Sequence, residues 1–229
     1  MSSRTTHSVG QTLWRRVSVA AAVAICVTIL RILHWTWRKD LRQMARLDAL
    51  QETGVPIIVG FWHGSYVPLF VLCRGRHAIV LIAPGIRGDI IAGICRAFGY
   101  RPLLLDGTAG NTARAHLKTA LGTDAPTAAV AIDGPLGPLH TPKLGIQHLT
   151  GTLGYQIVPV SVSAWPRLVL SRRWDHMAVP LPFAKVVVHV GEPIHVPPHA
   201  SATALQSVQQ AICRAMDDSA AMRSIPLTA

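Results

Sequence analysis

Acidic residues are scarce in this chain, and charge of any kind is thin. Eleven Asp and Glu stand against 22 Lys and Arg, a formal balance of +11, and charged residues make up only 14% of the 229. That surplus points the search for partners toward anions: a lipid surface, a phosphate-bearing substrate or a nucleic acid. Nucleic acid is the weakest of the three and is not expected as a partner, because no tract interleaves basic residues with exposed aromatics. Paired cysteines are also missing. Cys26, Cys73, Cys95 and Cys213 are scattered through apolar stretches with no C-x-x-C among them, which excludes a zinc site and suits free thiols in a reducing compartment. There is no internal repeat and no low-complexity tract. Half the residues are hydrophobic, yet they are spread along the chain rather than gathered into several long runs, which argues against a polytopic membrane protein and fits something that lies on or dips into a bilayer better.

One long run does exist. Val17–Leu30 reads VSVAAAVAICVTIL, and ILHWTW follows Arg31. A bilayer span takes about 20 apolar residues, so a tilted span and a half-inserted helix both fit this length, with a buried core helix as the ordinary alternative. Basic residues ahead of an apolar core also suit a signal peptide, but no small-x-small cleavage site precedes RILHWTWRKD. Arg4, Arg15 and Arg16 before the run, and Arg31, Arg38, Lys39, Arg42 and Arg46 after it, surround the segment with cations. Trp35 and Trp37 beside Arg38 and Lys39 have the composition of an interfacial anchor, aromatics at headgroup depth and cations on phosphates. We therefore expect residues 1–50 to anchor the chain on the cytoplasmic face of the inner membrane, and residues 51–229 to form the working domain.

From Val55 the texture changes to short β-branched runs apolar on both faces. Pro56–Trp62, Ala78–Ala83, Arg101–Leu105, Thr127–Ile132, Ile157–Val162 and Lys185–Val190 read as strands. Helices are expected from Tyr66, from an Asp89 N-cap to near Gly99, over Thr112–Leu121, over Ile146–Leu153 and over Ser201–Met222. Alternation of this kind predicts an α/β fold, a mainly parallel central sheet flanked by helices.

Ligands in such sheets bind beyond the carboxyl ends of the strands. Four polar groups stand there: His63, the Arg87-Gly88-Asp89 turn, Asp106-Gly107-Thr108 and Asp133-Gly134-Pro135. A histidine in that position can serve as a general base if a carboxylate fixes its tautomer. Asp89 is the first candidate for that acid and Asp133 the second, although a histidine at a strand end is as often a structural cap. Backbone amides near Gly64 or Gly134 are available to an oxyanion. The DGPLGP turn at Asp133–Pro138 packs two prolines and two glycines into six residues, which suits a binding loop, with a plain connection as the alternative. Lys143 beyond it either holds a phosphate or is solvated. Trp62, Ser65, Arg87, Asp106, Gly107, Gly134 and Pro135 complete the residues expected at the substrate.

These stretches resemble the lysophospholipid acyltransferase superfamily, in particular a small bacterial branch carrying WH, DGPxGP and WD…PF signatures. The likeness rests on Pro56–Trp62 followed by His63, on Asp133–Pro138, on Tyr155–Val162, and on Trp174-Asp175 followed by Leu181-Pro182-Phe183. It implies a glycerol-phosphate-acyltransferase-like fold and a place in phospholipid biosynthesis. The implied reaction moves an acyl group from a thioester donor, acyl-CoA or acyl carrier protein, to a lipid-like acceptor, with no metal or other cofactor. In the superfamily an aspartate follows the histidine four residues on. Here that place holds Pro68, and the arginines of the second and third motifs are absent from RPLLLDGTAG and DGPL. A glycerol-phosphate acceptor is therefore not expected, and a lipid-binding homologue without activity is the rival reading.

Overall fold

The computed structural model describes residues 4–105, 115, 119–120 and 127–221, with side chains from Trp14 to Asp217 within those bounds. The chain opens with a 33-residue helix, α1 (Arg4–Thr36). A short strand, β1 (Arg38–Asp40), and a helix, α2 (Met44–Glu52), lead into β2 (Ile57–Phe61). A 3₁₀ turn at His63–Ser65 runs straight into α3 (Tyr66–Leu72). β3 (Ile79–Ile82), α4 (Ile86–Ala97), β4 (Arg101–Leu104) and β5 (Thr127–Ala131) follow, then α5 (Leu144–Leu153), β6 (Gln156–Val169), β7 (Ala178–Val190), β8 (Ile194–His195) and α6 (Ala202–Ala221).

Eight strands form one sheet in the order β1-β7-β6-β2-β5-β3-β4, with β8 also on β6. The core β6-β2-β5-β3-β4 is parallel, and β7 returns antiparallel along β6. The expectation of an α/β fold with a mostly parallel sheet flanked by helices, and one N-terminal apolar helix, therefore holds. β2 carries the reason in its sequence: Ile57, Ile58 and Val59 are all buried, so each face needs its own helical cover. One face packs on α1, α3 and α4 through residues such as Val59, Val71 and Cys95. The opposite face meets α6 through Ile157, Val196, Ile212 and Met216. All four cysteines are free thiols; burial pushes Cys73 up to about 11 and Cys95 up to about 12, so neither is a reactive thiolate.

Several boundaries moved for identifiable reasons. α4 starts at Ile86 with Gly85 at its N-cap, so Asp89 sits in the first turn instead of capping it. The helix expected over Thr112–Leu121 falls mostly outside the described residues. β6 and β7 are twice as long as their apolar runs, because they go on pairing with each other beyond Val162, first with β1 still on the outer edge of β7 at residues 185–187 and then as a two-stranded ribbon from Arg167 opposite Pro180 to Val169 opposite Ala178. The outer edge of β6 is held by β8 at Gln156–Ile157 and by β7 from Val160 onward, and Pro159 falls between the two pairings, where a missing N–H breaks neither ladder.

Part of the N-terminal segment, β1, joins the sheet. β1 pairs in parallel with β7, Arg38 opposite Lys185, and Val27, Leu30 and Trp37 belong to the same core as β7 and α4. Trp37 donates its indole N–H to the Leu181 carbonyl at 3.2 Å. Ile157 is fully buried between β2 and α6. Replacing it by Ala should cost about 2–5 kcal/mol, read as a lower midpoint in urea unfolding with an unchanged slope.

Candidate functional site

His63 is placed by two strands and a returning hairpin. It follows β2 directly, at the carboxyl end of the parallel sheet. Its backbone N–H donates to Asp133 Oδ1 at 2.9 Å, across from the end of β5. The ribbon then turns back through residues 170–177 and delivers Asp175 to the imidazole: His63 Nδ1 lies 2.8 Å from Asp175 Oδ2. Arg173 grips the same carboxylate with a fork, Nε to Oδ1 at 2.9 Å and a terminal nitrogen to Oδ2 at 2.7 Å. The Asp175 side chain is fully buried while that of His63 keeps 21% of its surface exposed. No described residue bonds Nε2, so the ring's second nitrogen remains available.

The hairpin can come this close because Gly64 has no side chain. A Cβ there would collide with the Asp175 carbonyl oxygen. Gly137 does the same on the other side: in the left-handed region at φ 71°, it lies flat against Trp174, where a Cβ would come within 2.7 Å of the indole. The DGPLGP turn, the WD pair and the histidine therefore form one packed unit. Trp174 and Tyr66 flank the imidazole at ring centroid distances of 5.2 and 5.3 Å.

Electrostatics separate the two aspartates. Burial would raise the Asp175 carboxyl, but the Arg173 fork and His63 outweigh it and hold it down at about 2. Asp133 has no such cation. Burial pushes it above the usual carboxylate range against the pull of the His63 N–H, and its Oδ2 is buried with no hydrogen-bond partner among the described residues. Asp175 is thus a firm anion and Asp133 a reluctant one.

A cavity of about 240 Å³ opens beside this unit. Trp62, Gly64, Ser65 and Pro68 form one wall and Leu139 and His140 another. The ribbon supplies the rest, from Val162 and Arg167 to Ala178 and Pro180. The imidazole flanks this cavity rather than lining it: both its chain neighbours and its acid partner contribute to the wall. Pro68 lies in the first turn of α3, where its missing N–H costs nothing, and presents an apolar surface to the cavity.

Of the residues expected at the site, Trp62, Gly64 and Ser65 line the cavity, and Asp133 and His63 are in contact. The structure does not bring Asp89 to the histidine. It sits on α4, and Arg15 from α1 takes its carboxylate at 2.7 Å. Arg87, on the same exposed turn, is absent from the cavity wall, as are Gly134 and Pro135. Lys143 donates its ammonium to the Gly137 carbonyl, bracing the DGPLGP turn. Asp106 and Gly107 lie outside the described residues. Asp175 was missed as the orienting acid because it is 112 residues from His63. Its only signal was the Trp174-Asp175 pair, visible as a signature without a role. Among the described residues no group of His, Cys, Asp and Glu could hold a metal ion.

No protein-family model matches the chain. It is similar to "Uncharacterized protein RP090" of Rickettsia prowazekii (strain Madrid E), 27% identical over 173 residues that cover 72% of this chain and 76% of that protein. That likeness carries no activity with it.

Two outcomes follow from the aspartates. The Asp175 carboxyl lies below its unfolded value of about 3.9, so the stability it adds is complete above that pH and is lost as pH falls toward 2. Asp175→Asn should flatten that acid-side loss in an unfolding titration while lowering stability at neutral pH. Asp133→Asn keeps an acceptor for the His63 N–H and removes the cost of a buried charge, so its thermal midpoint at pH 7 should equal or exceed that of the parent, whereas Asp133→Ala should fall below it.

Proposed function

We propose that this chain is an acyltransferase that moves a fatty acyl group from a thioester donor, acyl-CoA or acyl carrier protein, to a hydroxyl or amine of a lipid-like acceptor at the membrane. The observation that carries the reading is the His63–Asp175 pair at 2.8 Å, with no described residue bonded to Nε2 and with Asp175 and both chain neighbours of His63 in the wall of the adjoining cavity. The likeness of WH, DGPLGP and WD…PF to the lysophospholipid acyltransferases supports it, and so does the layout of the sheet, which is compatible with a glycerol-phosphate-acyltransferase-like fold.

A buried carboxylate on Nδ1 fixes the ring proton there and leaves the Nε2 lone pair free to act as base. Nε2 takes the proton of the acceptor as its oxygen or nitrogen attacks the thioester carbonyl carbon. The tetrahedral oxyanion collapses, the C–S bond breaks, and the departing thiolate recovers a proton from the imidazolium. Asp175 steadies that imidazolium, and Arg173 keeps Asp175 ionised and correctly aimed. Backbone N–H groups near Gly64 or Gly134 serve the oxyanion. In this arrangement Asp175 stands in for the acid that Pro68 displaces, so the substitution in the family's leading motif does not by itself remove the chemistry. We place the reaction on the cytoplasmic face of the inner membrane, where acyl donors are available.

The test is transfer of radiolabelled acyl groups from acyl-CoA and from acyl carrier protein to extracted membrane lipids. His63→Ala should lower the rate by about 10²–10⁴-fold, and Asp175→Asn should lower kcat with little change in KM. Undiminished transfer by His63→Ala would overturn the assignment.

A further inference from the structure

We propose that α1 does not cross the bilayer but lies flat on one leaflet, and that the β6–β7 ribbon dips beside it so that the cavity mouth opens at the lipid surface. The occupant of the exposed face of α1 is then an anionic bilayer. This deepens the membrane reading above and is independent of the acyl chemistry.

The stretch Trp14–Thr36 is long and apolar enough to span. Its attachments argue against spanning. Arg15 is tied to Asp89 at the start of α4, Val23 packs directly on Gly93 in the middle of α4, and Arg31 stacks over the Phe98 ring at α4's end, 5.9 Å from its centroid. α1 therefore runs along α4 for most of its length. A helix crossing the hydrocarbon in this pose would carry Arg87, Asp89 and Arg96 of α4 in with it, and the Arg15–Asp89 pair offsets only one of these three charges.

The opposite side of the helix is bare. Within Trp14–Thr36 only Val27 and Leu30 are buried, while Trp14, Val17, Ile25, Ile29, Ile32 and Trp35 are between 50% and 84% exposed. Their spacing of three, four or eight residues puts them on a single stripe, about 30 Å long at 1.5 Å per residue. An apolar surface of that extent on a soluble face calls for a partner. Charge identifies which one. α1 contains no acidic residue, and exposed Arg16, Arg38 and Lys39 sit at its two ends. Apolar middle, tryptophan at each end and cations beyond is the pattern of a helix resting in the headgroup boundary of an anionic leaflet.

The β6–β7 hairpin adds exposed apolar residues of its own. The Trp37 indole bond to Leu181 brings β7 to the end of α1. There β7 bulges, and Phe183, 67% exposed, is held in the left-handed region at φ 63°. A bulky aromatic seldom occupies that conformation. The ring stands exposed two residues on from Leu181, itself partly exposed, and three from Pro180, which lines the cavity. Along β7, Leu181 and Phe183 thus lie within three residues of both the Trp37 contact at the end of α1 and the cavity residue Pro180.

The experiment uses the full chain with an N-terminal epitope. In sealed vesicles that expose the domain, protease should remove the epitope and digest the domain together; an epitope protected inside would overturn the flat pose. In flotation with phosphatidylethanolamine–phosphatidylglycerol vesicles, Ile29→Glu and Phe183→Glu should each weaken partition by about tenfold or more. Both side chains face solvent in the free protein, so folding is spared. Unchanged partition by Phe183→Glu would overturn the role of the ribbon, and cross-linked α1 pairs without vesicle binding would assign the stripe to a second copy and overturn the membrane seat. None of these readouts depends on turnover, so they stand or fall apart from the acyltransferase assignment.

Discussion

The buried Asp175 carboxylate, shared between Arg173 and His63, is the contact on which the rest of the site depends. Three bonds to one buried anion fix a histidine ring, a hairpin and the end of the ribbon at once. A carboxylate taken out of water is tolerated only when its charge is met. The guanidinium fork meets it fully, and the imidazole uses what is left. Geometry follows from that electrostatic demand: hairpin 170–177 can satisfy Asp175 only by lying on Gly64, and its Trp174 can be covered only by the flat backbone of Gly137.

Asp133 plays a complementary part. Its charge is not compensated, and its value lies in one oxygen that accepts the His63 N–H where β2 and β5 run out. It sets where the histidine's backbone sits, while Asp175 sets where the ring points. Strand ends at the carboxyl edge of a parallel sheet provide the first placement in many α/β proteins; the second comes here from the antiparallel ribbon, an addition to the sheet rather than part of its parallel core.

The same ribbon links site and periphery. One of its faces walls the cavity through Val162, Ala164 and Arg167, and its β7 strand carries β1 and the end of α1 on the far edge. The N-terminal helix, the sheet and the cavity are consequently parts of a single packed body, so an event at the apolar surface of α1 is only a strand away from the cavity rim.

Much of this was legible in the residues. Apolar runs such as IIVGF and AIVLIA have no polar side to present to water, which dictates a sheet covered on both faces, and histidine and aspartate at the ends of two such runs had to meet near one edge. The apolar segment around Val17–Leu30 was equally plain. Local sequence could not show β1, whose RKD becomes a strand only because β7 offers an edge, nor the true length of β6 and β7, which is set by their pairing with each other. It also misdirected the choice of acid. Asp89, close in sequence to the site, is drawn to Arg15 on α1, whereas Asp175 arrives from the far end of a hairpin. Periodicity and composition act over a few residues and so determine which segments are strands, helices or long apolar runs. Which carboxylate reaches the imidazole, and which helix α1 packs along, depends on contacts between segments scores of residues apart, and only the folded packing settles those.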